Sequence, residues 1–401
     1  MNEWKKVKLG DCISTKKGFA FKSALYTNCG VPVVRVSDFT LDSVADNDLV
    51  YYPHAEKDRY DEYVLNEGDV LIQTVGSWQY NPNSVVGKVV RVPYYHKGSL
   101  LNQNIVKIIP NNGYNNAFIF YRLKCRDFAG HVLGEARGAA NQASITLDTI
   151  KRFSFDCPLL STQQRIATIL SRYDSLIENY RKQIKLLEEA AQRLYKEWFI
   201  DLRFPGHENT KIVDGVPEGW EKKKLHEIAE VVMGSSPKSE FYNNDKQGLP
   251  FHQGVGSYGT RFVDDNVYST SITRLAEPNS ILFSVRAPVG RLNITKNKII
   301  IGRGLAAMNH KDGFQSFLFY MLKERFFMDN IIGNGSIFAS ISKVELLDQE
   351  FIVPPMKTIK AFESLASKLD KKIQGVDTQL RLLTEARDRL LPKLMSGEIT
   401  V

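Results

Sequence analysis

Gly254-Val-Gly-Ser-Tyr-Gly259 has the spacing of a glycine-rich phosphate cradle, in which small residues let backbone amides close on a pyrophosphate. Such a cradle must end a strand, open a helix and find an acid about 20 residues further on. The following run, Thr260-Arg-Phe-Val-Asp-Asp-Asn266, lacks a helical apolar stripe, so these glycines are expected to form a loop and no cofactor site. No GxxxxGK[ST] run occurs, and no P-loop is expected. Cys12, Cys29, Cys125 and Cys157 make no CxxC pair, and the seven histidines reach neither HExxH nor His-x3-5-His spacing. The expected catalytic set is therefore empty, and so is the expected metal set.

The elements that would position other chemistry are plainer. The stretch Ser161–Phe199 has no Gly or Pro across roughly ten turns, which favours a coiled-coil helix. Ile169, Tyr173, Leu176, Tyr180, Leu187, Ala190 and Leu194 fall at a and d spacing, with Leu170, Ile177, Ile184 and Ala191 widening the stripe. Phe362–Leu394 repeats the pattern when shifted by 196 positions: Tyr173, Tyr180, Leu187 and Leu194 lie over Leu369, Val376, Leu383 and Leu390, and Asp174 lies over Asp370. One helix therefore supplies the partner that the other needs.

What precedes each helix is duplicated too. Trp4 to Leu9 and then Gly18 share their offsets with Trp220 to Leu225 and then Gly234; Phe118-Ile-Phe-Tyr-Arg-Leu-Lys matches Phe317-Leu-Phe-Tyr-Met-Leu-Lys; and Ala143-Ser-Ile matches Ala339-Ser-Ile. Short strands are expected at 31–36, 69–75, 85–92, 104–109, 280–285, 289–294 and 298–301. The fold class is α/β (α+β): two strand-rich domains of roughly 150 residues, each followed by a long helix. The expected boundaries are a first domain at 1–158, its helix at 159–203, a linker at 204–216, a second domain at 217–354, its helix at 355–396 and a tail at 397–401.

The chain has 401 residues, 43% hydrophobic and 24% charged, enough for two cores, and its net charge of +8 leans towards a polyanionic partner. The first ten residues lack an apolar signal region, and no apolar run approaches the roughly 18 residues of a membrane span, so a cytoplasmic protein is expected.

PLLSTQQRIATIL at 158–170, AQRLYKEWFID at 191–201, VPEGWEKKKL at 216–225 and LLPKLMSGEI at 390–399, in this order, resemble the DNA-specificity subunits of type I restriction-modification systems. The resemblance implies two target-recognition domains, each reading half of a split sequence in double-stranded DNA, separated by two long helices that form an antiparallel coiled coil. It further implies that these helices set the spacer and dock two modification (methyltransferase) subunits. S-adenosylmethionine, ATP and magnesium would then sit on partner subunits, with no cofactor in this chain and no membrane partner; whether restriction (ATP-dependent translocase and nuclease) subunits join is left open. One departure is that PPMKTIKAF at 354–362 lacks the Gln-Gln-Arg-Ile run of the first helix, so the two docking contacts need not be equivalent.

Amide and guanidinium side chains on loops can make paired hydrogen bonds to base edges. The expected readers are Gln73, Ser77, Gln79, Asn102, Gln103, Arg137, Asn141 and Gln142 in the first half, and Ser235, Lys238, Gln253, Tyr258, Arg261, Arg286 and Arg303 in the second. Lys16 and Lys17, and the run Lys222 to Lys224, suit phosphates. Outward-facing Arg165, Arg172, Lys182, Glu189 and Arg193 are the expected partner contacts. Two rival functions are a self-sufficient DNA adenine methyltransferase and a coiled-coil adaptor without DNA binding. The first is disfavoured because Val353-Pro-Pro-Met356 has an apolar residue where a methyltransferase motif needs an amide or acid.

Overall fold

A computed structural model of the chain describes residues 4–78, 84–139, 142–326 and 340–401. Contacts divide it into two compact units, unit 1 (Met1–Asn179 and Leu380–Val401) and unit 2 (Tyr180–Gln379). Each unit therefore holds one strand-rich segment and part of both long helices.

In unit 1 the central sheet is built from β1 (Ile13–Lys17), β2 (Val70–Gln73), β3 (Val89–Arg91) and β4 (Ile105–Pro110), ordered β1-β4-β2-β3 with antiparallel neighbours. The apolar residues Val70, Ile72, Val106 and Ile108 pack under helix α1 (Asn116–Leu123) and the start of helix α2 (Leu160–Phe199). Unit 2 repeats the sheet with β5 (Ala229–Met233), β6 (Ile281–Ser284), β7 (Leu292–Ile294) and β8 (Leu305–His310), ordered β5-β8-β6-β7. Helix α3 (Gln315–Phe326) and helix α4 (Met356–Met395) take the corresponding places there. Phe118 in unit 1, and Phe317, Tyr320 and Phe362 in unit 2, are fully buried, each contributing about 1.5–3 kcal/mol through the water it sheds.

The Trp-to-Leu openings acquire a physical meaning. Lys5–Lys8 pairs antiparallel with Ser154–Cys157, and Glu221–Lys224 with Glu350–Val353, so each segment's first strand is tied to the last strand before its long helix. Lys222 and Lys224 are held there by Glu350 and Asp348, at 2.5 and 2.8 Å, and Lys223 by Glu221 at 2.8 Å.

Within each unit the two long helices run in opposite directions: Arg387 reaches Asp174 in unit 1, and the rings of Tyr195 and Trp198 meet that of Phe362 in unit 2. The buried seam is turned one position from the expected one. Leu170, Ile177, Ile184, Ala191 and Trp198, seven apart, are buried, whereas Leu176 is 45% exposed and Ala190 faces outward. The apolar stripe is four residues wide, and only packing decides which pair of columns lies at its centre. The 196-residue shift holds for the true seam as well, carrying Leu170 and Ile177 onto buried Ala366 and Ile373.

The missing Gln-Gln-Arg-Ile run also has an internal cause. Gln163 is buried; its Oε1 accepts from Asn115 N at 2.9 Å and its Nε2 donates to Pro158 O at 2.9 Å, while Asn115 Oδ1 caps α1 by accepting from Phe118 N. In unit 2 Glu363 does this work directly, accepting from Phe317 N at 2.9 Å and Ser316 N at 3.3 Å. A carboxylate at a helix start satisfies orphan N–H groups and meets the positive end of the dipole.

Candidate nucleic-acid interface

One edge of each central sheet gathers about half of the expected readers. In unit 1 the C-terminal end of β1 meets the start of β4: Gly18 N donates to Ile105 O at 3.0 Å and Gln103 N to Phe19 O at 2.8 Å. In unit 2 the same corner forms from Gly234 N to Leu305 O at 2.9 Å and Ser235 N to Ile301 O at 2.9 Å. The glycines are required, since a Cβ on Gly18 would stand 1.9 Å from the Asn102 carbonyl oxygen and one on Gly234 2.1 Å from that of Gly302. Gln103 and Arg303 thus occupy matching places, two residues before β4 and β8, and both side chains are exposed.

Around this corner unit 1 presents Lys17 and, on the hairpin Arg137–Ala139 with Gln142–Ser144, Arg137 and Gln142. The hairpin pairs onto Val75–Gly76, the continuation of β2. Unit 2 presents Ser235, Gln253, Arg303 and, beyond β6, Arg286, which bridges to Ser340 as Val75 does to Ser144. Ser236 Oγ donates to Gln253 Oε1 at 2.7 Å and accepts from Arg303 N at 3.2 Å, which ties the Gln253 side chain and the Arg303 backbone to one hydroxyl. Lys238 is exposed two residues beyond Ser236, 3.9 Å from Glu240. Among the described residues Lys17, Arg137, Arg286 and Arg303 have no ion-pair partner.

Other expected readers turn inward. Gln73 is fully buried, its Nε2 donating to Val75 O and Ser84 O, both at 2.9 Å. Ser77 bonds Ser84 Oγ at 2.9 Å. The Asn102 side chain accepts from Gln103 N at 2.6 Å and donates to Tyr26 OH at 3.3 Å, so it shapes the corner without facing out of it. The Tyr258 ring packs on Val263, Leu282 and their neighbours, and burial pushes its hydroxyl pKa up. Lys16 is engaged by Glu62 and lies 4.5 Å over the Tyr63 ring. Gln79 and Asn141 lie outside the described residues. Residue type marked all of these as hydrogen-bonding groups, but burial is a tertiary property.

Arg261 is the largest correction, at 3% exposure. Its Nη2 donates to Asp370 Oδ1 at 2.6 Å and Tyr320 OH at 3.3 Å, its Nη1 lies 3.7 Å from Glu188, and its Cζ sits 3.7 Å over the Phe319 ring. Tyr320 OH donates to the same carboxylate at 2.8 Å. Burial pushes the Glu188 carboxyl up, and Arg261 and Lys323 only partly offset it. Unit 1 has a corresponding network that was not expected. Arg387 Nη1 donates to Asp174 at 2.9 Å and Asp42 at 3.1 Å, Lys124 holds Asp42 at 2.7 Å, and Tyr121 OH donates to Asp174. Burial pushes the Asp42 carboxyl up, but Lys124 and Arg387 outweigh it and hold it below the ordinary range. Asp174, Asp370, Tyr121 and Tyr320 all lay within the repeated stretches, and a polar residue kept at the same place in two apolar repeats was the available signal.

The glycine-rich loop is not a cradle: Val255–Ser257 makes one 3-10 turn after the strand Leu249–His252. Buried His252 bonds Ser257 Oγ through Nδ1 at 2.7 Å and Asp265 Oδ1 through Nε2 at 2.9 Å, and Asn297 Nδ2 donates to Asp265 Oδ2. This serine–imidazole–carboxylate chain pins both ends of the loop. Gly302 N donates to His252 O and Gly304 N to Gln253 O, so the pinned loop fixes where Gln253 stands relative to Arg303. No group of three His, Cys, Asp or Glu side chains among the described residues could hold a metal, and no described helix is long and apolar enough to cross a membrane.

On the long helices Arg165, Arg172, Lys182, Glu189 and Arg193 are all exposed. Arg172 lines a groove of about 880 Å³ with Asn115, Thr168 and Leu176 in unit 1.

Two copies of one sheet-and-helix unit, each with a polar sheet edge, define a duplicated recognition protein. The profile of the type I restriction modification DNA specificity domain matches residues 1–189 and again 217–380, and the chain belongs to this family. It is 30% identical over 318 residues to the type I restriction enzyme MjaIX specificity subunit of Methanocaldococcus jannaschii, covering 75% of this chain and 73% of that one. It is 22% identical over 488 residues to the HindI specificity subunit of Haemophilus influenzae, covering both chains fully. The crystal structure of the type I restriction-modification S subunit from M. genitalium shares the fold, with a TM-score of 0.59 and 17% identity over 98% of this chain and 96% of that one.

Proposed function

We propose that this DNA-specificity chain reads one half of a bipartite asymmetric sequence in double-stranded DNA with each polar sheet edge. The observation that carries this is the matched edge itself. Gln103 in unit 1 stands where Arg303 stands in unit 2, beside the matching Gly18 and Gly234 corners, and around that shared frame unit 1 presents Lys17, Arg137 and Gln142 while unit 2 presents Ser235, Gln253 and Arg286. Equal frames with unequal contacts are what two different half-sites require.

In this reading the segments 1–158 and 217–354 are the target-recognition domains, the helices at 159–203 and 355–396 fix the spacer, and 204–216 links the halves. The chain performs no catalysis. S-adenosylmethionine, ATP and magnesium belong to partner subunits in the cytoplasm. Two modification subunits dock on the outward helix face, where Arg172, Leu186 and Arg193 lie 196 positions before Lys368, Leu382 and Arg389. Leu186 and Leu382 are 63% and 53% exposed, and Arg193 and Arg389 are also exposed, which suits two equivalent contacts. Restriction subunits would add to the same complex.

Two measurements test this. Affinity for random-sequence DNA should fall with salt at a log-log slope near −0.9 per phosphate contacted, and a flat response would favour the adaptor. Mapping methylated bases in cells that express this chain with its modification subunit should return a split site, whereas methyl transfer to DNA by the purified chain alone would overturn the non-catalytic reading.

A further inference from the structure

The loop that carries Asp42 in unit 1 and the loop that carries Arg261 in unit 2 are the same device. Each is closed by a matching bridge, Phe39 with Val44 and Tyr258 with Val263, leaving four residues between. Thr40 N donates to Ser43 O, and Gly259 N to Phe262 O; one step out, Ala45 N donates to Asp38 O, and Asp264 N to Ser257 O. The third residue of each tip accepts a bond from the end of the edge strand, Arg91 N to Asp42 O at 3.1 Å on β3 and Ile294 N to Arg261 O at 3.0 Å on β7. Asp42 and Arg261 are therefore structurally equivalent positions of opposite charge.

What faces them is equivalent as well. Tyr121 on α1 donates to Asp174 on α2, and Tyr320 on α3 to Asp370 on α4, the two aspartates lying 196 positions apart. The remaining charge is exchanged. In unit 1 the cation comes from the helix, Arg387, whose counterpart in the first helix is Ala191; in unit 2 the helix supplies a second acid, Glu188, whose counterpart is Thr384. An acidic tip meets a helix arginine in one unit, and a basic tip meets two helix acids in the other.

We infer that these exchanged charges form a positional lock, in which Asp42 and Arg261 act as positioning residues that admit each recognition segment only to its own part of the helix pair. A copy of the first segment docked in unit 2 would set the Asp42 carboxylate against Glu188 and Asp370. A copy of the second docked in unit 1 would set the Arg261 guanidinium against Arg387 of the helix. Without the lock, a duplicated frame would let either segment dock at either place, and two unlike readers would lose their assigned order. This goes beyond the proposed DNA reading and holds whichever bases the sheet edges contact.

The test uses full-length chains and a thermal melt without DNA. In one, residues 4–157 also replace residues 220–353, so the first segment occupies both places. Asp42→Arg is then made separately in the copy at each place. The lock requires opposite signs: at the native first place Asp42→Arg lowers the melting temperature, and in the transplanted copy it raises it. The same sign at both places, or no effect in the copy, overturns the inference. If the transplanted chain fails to fold, the unaltered chain supplies a second arm, a double-mutant cycle of Asp42→Asn with Arg387→Gln. Coupling of tenfold or more in the unfolding constant is expected, and additivity overturns the lock. Neither arm reads DNA, so its outcome is independent of the bipartite-site proposal.

Discussion

Charged side chains that look alike in the sequence do different work here according to burial. Lys17 and Arg303 are exposed on sheet edges, whereas Arg261 and Arg387 are drawn inside against carboxylates. Removing one partner of a buried ion pair costs about 3–5 kcal/mol because the other charge is left uncompensated, and removing an exposed charge costs close to nothing. Arg261→Met should therefore destabilise the fold on that scale, while Arg303→Met should leave the melt unchanged and weaken DNA binding; the reverse pattern in melts and gel retardation would count against both assignments. The pH dependence follows from the acids. Asp42 titrates below its unfolded value of about 3.9, so its stabilising contribution is complete above that value and is lost as pH falls through the lower folded value. Glu188 titrates above the ordinary glutamate value, so its charge costs stability at neutral pH, and the cost fades as pH falls. Asp42→Asn should thus lower stability at pH 7 and flatten the acid limb below about pH 4. Glu188→Gln should cost less or even stabilise at pH 7. Denaturant melts at pH 7 and pH 3.5 would decide, and an Asp42→Asn variant with an unchanged acid limb would remove Asp42 from the lock.

At the level of elements, each corner depends on a glycine without a Cβ. Gly18→Ala and Gly234→Ala should each cost about 1–3 kcal/mol by forcing strand ends apart, and each should impair reading of its own half-site. Gly254→Ala, whose Cβ would meet nothing within 4 Å, should be neutral in melts despite its place in a glycine motif. An equal effect of all three would sink the account of the corner. The strands named from the sequence were legible because apolar runs bounded by turn residues need no tertiary knowledge, though most are shorter than expected, as at Val89–Arg91 within the expected 85–92, while Ile13–Lys17, Ala229–Met233 and Leu305–His310 were not among them. The 3-10 segment His54–Tyr63, the helix Arg126–Glu135 and the hairpin at 137–144 went unseen, since none carries a strong apolar period. The seam of the long helices was displaced by one position for the opposite reason, an excess of apolar residues. Half of the candidate interface was legible as residue types, while its assembly at one sheet edge depended on β1 and β4 meeting across 90 residues of sequence.

For the whole molecule the open quantity is the spacer between half-sites. Helices α2 and α4 are 40 residues each, about 60 Å at 1.5 Å per residue. If the pair fixes the distance between readers, four residues inserted into both, after Ile184 and before Leu380, lengthen it by about 6 Å. DNA rises about 3.4 Å per base pair, so the unread spacer should grow by roughly two base pairs while both half-sites stay the same. A four-residue insertion acts as a stutter that keeps the apolar columns nearly continuous, so the pair should still form. Two added base pairs also turn the far half-site by about 70°, and affinity should fall unless DNA twist absorbs the rotation. The same insertion in one helix alone should misalign Leu170, Ile177 and Ile184 against their partners and lower the melting temperature. Methylation mapping decides the matter: an active double-insertion variant with an unchanged spacer would show that the helices do not set it.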